Sequence, residues 1–575
     1  MLTLKERRER LAAWAHATFG AEARAQWPAE FKAWARRQVS KEALSALLHV
    51  AVLLILLALT RPLFFQAVDA KHYEAWSIYL SMVQTDLQVI AASAPKNTPT
   101  IPQILTFLVP MFVFLAVGRK LRWTDWDHGK ALRIFVCGVL LMLCWSGATS
   151  PYHMYLDRSH GLDRLILVAC GLLTLRFPIF APLTAKLAIV MIKEAYIPTL
   201  LDDFDFRAPA ELVSIFGVFV WCSLSRTFRP AHFLIASTAS FASFYYLAGV
   251  AKARIAGGMW FTDNHVSNLT PAGYVRGWLS FVPEHMMMAV ARVARELDWL
   301  FQSYTLFIEV GAILGMFAFR RLTRWWYLGC AILNLGIFVM SGINFWKWMT
   351  ASFLAFFWMG RRGKPLVDQM FEYRLPHLLA IASIYFSSMR IWFFPTPVAW
   401  FDTRLTENYE IYAIGESGQR YLVPGTYFRP SDMHWSQGAL CYATNEHSMT
   451  GIYATGSYGT SKLLDKLTPE QLWKKHAQAK TCKHKNRARY DKFMKRFFKN
   501  INRYGGRRWT FLEWFGRPKH IWIYPKGSLN GGDNITFDAQ EKVKTIELWV
   551  NLAFLYEGEL HRTEPHLAHT VEIPQ

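Results

Sequence analysis

Residues 245–260 read YYLAGVAKARIAGGMW, so a run of aromatic and small apolar residues ends in Lys252, with Arg254 two positions on and Trp260 beyond a glycine pair. A lysine at the end of an apolar helix has two uses. It can snorkel to a polar surface and anchor the helix, or, desolvated, it can give up its proton and act as a base or nucleophile. A neighbouring cation such as Arg254 favours the neutral amine. Spacing alone leaves both uses open.

Other polar groups interrupt apolar runs: Glu309 in YTLFIEVGAILGMF, Asn334 in AILNLGIFVMSGINFW, and Lys193 with Glu194 in IVMIKEAYIP. An ionisable group at the centre of a spanning helix costs on the order of 2.5–3.5 kcal/mol, so each needs a partner, water or a function. Glu309 suits an interhelical bond or a site, and Asn334 suits a bridge between helices. Lys193 and Glu194 are adjacent and point in different directions on a helix. His153, His160 and His265 are proton carriers or ordinary loop residues. No spacing of cysteine and histidine matches a structural zinc site, and no metal is assigned.

The elements that must position these groups are apolar helices. The 575-residue chain is 53% hydrophobic and 15% aromatic, concentrated in blocks such as ALSALLHVAVLLILLALT and IFVCGVLLMLCWSG. Several blocks approach the roughly 20 residues that cross ~30 Å of hydrocarbon. The expected fold class is an all-α polytopic membrane helix bundle with a C-terminal extracytoplasmic α+β domain. Spans are placed at roughly 44–60, 103–118, 131–148, 164–179, 183–199, 211–225, 230–251, 303–319, 325–343, 346–360 and 376–394. Reading 164–199 as one re-entrant hairpin lowers the count from about 11 to about nine.

Basic segments at ARRQVSK, 118–133, 225–229, 319–326 and 360–364 mark the cytoplasmic side. The N-terminus is then cytoplasmic and the C-terminus outside, and the first spanning helix serves as the targeting signal, in the plasma or inner membrane. Three regions follow: a basic amphipathic arm at 1–42, the transmembrane region at 43–394, and the exported domain at 395–575. Lys252 falls at the outer end of its helix. The loop 253–302 contains the amphipathic stretch MMMAVARVARELDWLFQ, expected to lie as a lid over the bundle mouth.

Beyond residue 395, NYEIYAIGESGQRYLVPGTYF, HIWIYPKGSL and KTIELWVNLAFLYEGELH read as strands and hairpins. TPEQLWKKHAQAK, with Thr468 as N-cap, and ARYDKFMKRFFKNINRY read as basic helices. The net charge of +22 is assigned to cytoplasmic loops and headgroup-facing surfaces, without nucleic acid as a partner. Five of the seven cysteines lie in apolar segments; Cys441 and Cys482 can form a disulfide on an oxidising side of the membrane. The tripeptides at 268–270 and 534–536 have the form of glycosylation acceptors.

Taken in order, YYLAGVAK, the tryptophan after a short spacer, YTLFIEVGAILG and RRLTRWWYLGCAILNLGIFVMSGINFW resemble the core of the vitamin K-dependent γ-carboxylase-like family, also called the horizontally transferred transmembrane domain. The likeness is motif-level across 245–346. It implies that Lys252 deprotonates a reduced vitamin K or menaquinone-type hydroquinone, with O2 and CO2 as co-substrates. Tyr245, Tyr246 and Trp260 would line the quinone pocket, Glu309, Asn334 and Arg254 would be supporting residues, and an acidic polypeptide carrying glutamate would be modified at the outer face. The chain departs from the family at Asn334, where histidine is common, and by having no histidine between 161 and 231. Those departures keep open a non-catalytic maturation, export or immunity factor on the same scaffold.

Overall fold

The computed structural model describes residues 40–64, 121–156, 159–196, 206–387, 399–428, 440–451, 453–482, 487–504 and 535–574, with a few single positions beside them. Helices dominate the described part of the first 390 residues. In order they are α1 (Lys41–Phe64), α2 (Gly129–Ala148), α3 (Tyr152–Leu156), α4 (Gly161–Arg176), α5 (Ala181–Tyr196), α6 (Arg207–Ser223) and α7 (Pro230–Arg254). They continue as α8 (Leu269–Val275), α9 (Glu284–Glu296), α10 (Asp298–Leu306), a π-helical turn at Phe307–Gly311, and α11 (Ala312–Met316). Last come α12 (Arg320–Ser341), α13 (Trp346–Gly360), α14 (Lys364–Met370) and α15 (Leu375–Ser387).

Ten of the expected spans coincide with helices, and the expected 103–118 lies outside the described residues. Among the described residues, four helices are long and apolar enough to cross a membrane: Arg36–Thr60, Gly129–Ala148, Pro230–Gly258 and Arg320–Ser341. The others fall short for a physical reason. Helices of 16 residues such as α4 and α5 reach about 24 Å at 1.5 Å per residue, less than the ~30 Å of hydrocarbon. α4 and α5 are separate helices divided by a turn at Pro178–Phe180.

α7 is the central post. Nineteen of its residues are buried, because alanine, serine and glycine on its faces let α1, α6, α15 and the π-turn pack close. α1 instead turns Leu44, Leu48, Ile55 and Leu59 outward, each at least half exposed. A stripe of large apolar side chains at helical spacing on the surface is what a lipid-facing helix presents. Basic segments gather at one end of the bundle, where Arg37 pairs with Glu372 at 3.1 Å and Trp358 Nε1 donates to the Ala131 carbonyl at 2.7 Å. The C-terminal region sits at the other end.

That region contains β1 (Phe401–Asp402), β2 (Leu405–Gly415), β3 (Arg420–Val423), β4 (Ala454–Thr455), α16 (Tyr458–Leu464), α17 (Pro469–Ala477), α18 (Arg487–Arg503), β5 (Val543–Tyr556), β6 (Glu559–Arg562) and β7 (His566–Glu572). β5 is the middle of an antiparallel sheet, paired on one side with β2, beyond which β3 forms the edge, and on the other with β7 and β6. Thr468 caps α17 as expected, accepting from Gln471 N, with Pro469 in the first turn. HIWIYPKGSL lies outside the described residues.

The region is less separate than its composition suggests. The hydrophobic core runs without a break from the bundle into the sheet. Tyr155 of α3 packs on Phe497 and Phe493 of α18 with ring centroids 5.2 and 6.1 Å apart, and Asn500 Nδ2 donates to the Met154 carbonyl at 3.0 Å.

A disulfide joins Cys441 and Cys482, with Cα atoms 5.7 Å apart. It closes a loop of about 40 residues in a region of short strands, so Cys441→Ser is expected to cost roughly 2–4 kcal/mol. A thermal melt with and without reductant reads this: the parent should lose stability on reduction, and the variant should not respond.

Candidate functional site at the bundle mouth

The C-terminal end of α7 is built for a close approach. A side chain on Gly249 would put its Cβ 2.8 Å from the Cβ of Glu309, so glycine there lets the π-turn lie against α7. The π-turn inserts an extra residue in its helix, a feature that often accompanies functional positions, and it carries Glu309 inward. Lys252 Nζ donates to both carboxylate oxygens, at 2.7 and 2.8 Å. The two side chains are 13% and 7% exposed, so this is a nearly buried ion pair and not a snorkelled anchor. Gly249→Val is expected to cost about 1–3 kcal/mol by overpacking and to part the pair; a melt coupled to infrared detection of the Glu309 carboxylate would show both.

After Lys252 the chain reverses through Ile255–Gly258. Ala256, Gly257 and Gly258 all have positive φ, at 51°, 70° and 99°, which the two glycines adopt without strain. The reversal brings Trp260 back over the lysine, its ring 5.6 Å from Nζ, within cation–π range.

Above Trp260 lies a second polar layer that belongs to the C-terminal region. Trp260 Nε1 donates to the Trp400 carbonyl at 2.9 Å, and Trp400 Nε1 donates to Asp402 Oδ1 at 3.0 Å. Asn264 clasps Asp402 twice, its Nδ2 donating to Oδ2 at 3.0 Å while the Asp402 amide donates to Asn264 Oδ1 at 2.6 Å. Asn268 adds a bond to the Asp402 carbonyl at 3.1 Å, and Gln302 Nε2 donates to the Asn264 carbonyl. Burial pushes the Asp402 carboxyl up to about 7 despite the bonds from Asn264 and Trp400 and the charge of Lys252.

Two further carboxylates fasten the same loop. Asp298 accepts from Ser267 N and Oγ at 2.8 and 2.9 Å and faces His265 Nδ1 at 3.3 Å. Asp263 accepts from the Tyr458 hydroxyl at 2.6 Å and pairs with Lys462 at 2.9 Å. The loop 253–302 is therefore a bolted layer between bundle and sheet. Asn268 is 3% exposed, which removes it as a glycosylation acceptor; Asn534 lies outside the described residues.

The expected site residues divide into three groups. Lys252, Glu309 and Trp260 converge. Tyr245 sits seven residues before Lys252, on the same face about 10 Å deeper; its hydroxyl accepts from Asn334 Nδ2 at 3.0 Å, and Asn334 also donates to the Cys330 carbonyl at 2.8 Å. Trp326 and Trp348 enclose its ring at 5.7 and 5.3 Å. Tyr246 and Arg254 do not join them. Arg254 is exposed, and its charge acts on Tyr246. A long flexible cation reaches water more cheaply than it lies beside a second buried cation, so Arg254 is not a support for Lys252.

The histidines also resolve. His160 pairs with Asp163 at 2.9 Å, His153 is buried beside the Tyr504 ring, and His265 belongs to the Asp298 cluster. Among the described residues no group of histidine, cysteine, aspartate and glutamate is placed to hold a metal ion. Sequence reasoning missed Asp402, Asn264, Asp298 and Trp400. Only Asn264 lay in a stretch that stood out, the polar FTDNHVSN, and nothing in that stretch pointed to its partner.

The chain matches no protein-family model, no curated protein and no solved structure.

Proposed function

We propose that the chain is an integral membrane enzyme of the γ-carboxylase-like kind, in which Lys252 is the base and Glu309 its proton partner. The observation that carries this reading is the nearly buried Lys252–Glu309 pair, capped by Trp260 and covered by the Asn264–Asp402 clasp. Apolar surroundings let the pair exchange its proton without stranding a full charge. Glu309 takes the proton that leaves Lys252, and the freed amine then accepts one from an acidic hydroxyl. The covering layer keeps bulk water from competing for that proton.

The donor set suits an aromatic diol, since an amine, a carboxylate and an indole face lie within one small volume. A reduced quinone would supply, with O2, the strong base needed to draw a proton from a glutamate side chain before CO2 adds. In this reading the spans cross a membrane, the N-terminus is cytoplasmic, and the C-terminal region with its disulfide faces an oxidising exterior, where it receives an acidic polypeptide. Menaquinol titrated into purified protein should quench tryptophan emission saturably, and Trp260→Leu should weaken the effect; absence of saturable quenching in the parent would remove the quinone from the account.

One observation favours a second reading, a non-catalytic scaffold. Both oxygens of Glu309 hold Lys252, and Asn334, fixed by Tyr245 and Cys330, has no proton to shuttle. A polypeptide that co-purifies in fixed ratio without quinone would support it.

A further inference from the structure

On the far side of the covering layer, α9, the loop at 267–268 and the β5–β6 hairpin enclose a cleft of about 400 Å³. Arg292 and Arg295 enter it from α9 and Arg404 from the start of β2. We propose that this cleft binds a phosphate group carried on an organic molecule, held by Arg292, Arg295 and Arg404. The inference is independent of the reading of Lys252.

Three guanidinium groups in one small cleft repel one another unless an anion joins them. The acids nearest to two of them offset part of this repulsion without a direct hydrogen bond. Arg295 Nε stands 3.8 Å from Asp298 and Arg404 Nε 3.7 Å from Asp465, both well beyond the 2.7–2.9 Å of a direct charge-assisted bond. Asp298 is moreover occupied by Ser267 and His265. Each acid meets its arginine at Nε, and both arginines line the cleft. Arg292 is exposed and, among the described residues, has no acid within ion-pair distance. Glu557, the one acid among the described lining residues, acts on its neighbour Tyr556.

The chemistry and size select the ligand. Planar forks arriving from two elements match the several oxygens of a tetrahedral oxyanion better than the two of a carboxylate. A cleft of this volume takes a small molecule, not a folded chain. Met288 and Leu555 add an apolar wall for the organic part. The opposite face of α9 exposes Met286, Val290 and Val293, each more than half exposed, continued by Leu297 and Leu300. Such a stripe lies naturally at a headgroup layer, so the phosphate can come from a lipid headgroup or from a free metabolite.

Calorimetry on the full chain in non-ionic detergent, with glycerol 3-phosphate and with dihexanoyl phosphatidic acid, tests the site and separates the sources. Binding of both means that the phosphate suffices, and binding of the lipid alone means a headgroup. Arg295→Ala and Arg404→Ala should each weaken binding at least about tenfold. Arg292→Glu, at an exposed position that leaves the fold alone, should abolish it. The surface pair Lys492→Ala with Lys495→Ala should have no effect. The proposal is overturned if neither probe binds, or if the lysine pair weakens binding as much as the arginines do.

Discussion

Glu309→Gln is expected to destabilise the protein by about 3–5 kcal/mol, because it leaves the Lys252 ammonium buried without its counter-charge. The pair sits at the contact between α7 and the π-turn, so the loss should appear as a lower melting temperature of the whole bundle. Lys252→Met should cost a similar amount by stranding the carboxylate. The double variant, Lys252→Met with Glu309→Gln, should recover most of the loss, since replacing both members of a buried pair is often nearly neutral. A double-mutant cycle from melts in nanodiscs measures the coupling. If the single and double variants lose the same stability, the two side chains do not form the pair described, and the proton exchange assigned to them fails with it.

The second large effect is on the clasp at Asp402. Its folded-state pKa of about 7 stands above the roughly 3.9 of an unfolded aspartate. The folded chain therefore holds a proton that the unfolded chain has released between about pH 4 and pH 7. By linkage, the contribution of this group to stability falls as pH rises through that window and is level above it. The full span of about three units corresponds to about 4 kcal/mol at most. Hydrogen exchange across residues 260–302 should show the covering layer better protected at pH 5 than at pH 8. Asp402→Asn, which stays neutral, should flatten that dependence while His265 and the other titrating groups continue to contribute theirs. An unchanged pH profile in Asp402→Asn would mean that the clasp does not titrate in this range.

How far the sequence foretold these features depends on the range of the interaction. Helices and strands follow from local pattern, and so α7, the Thr468 cap of α17 and the β5–β6 hairpin were legible. The Lys252–Glu309 pair was half legible, because each residue was conspicuous as an ionisable group in an apolar run, but the pairing depends on Gly249 and on a π-turn that no periodicity announces. The Asn264–Asp402 clasp was not legible. It joins residues 138 positions apart, and an asparagine in a loop and an aspartate before a strand have nothing local to mark them. Arg254 misled for the opposite reason: nearness in sequence to Lys252 suggested a shared environment, whereas two residues along a helix turn a side chain to another face.

The most direct test of the central claim is oxygen uptake dependent on a reduced quinone, measured for the parent and for Lys252→Ala in nanodiscs, with Lys252→Met/Glu309→Gln as the variant that keeps the fold. If Lys252 is the base, the parent consumes oxygen and both variants fall to background although the double variant melts like the parent. Uptake that survives in the double variant, or its absence in the parent, would contradict the assignment.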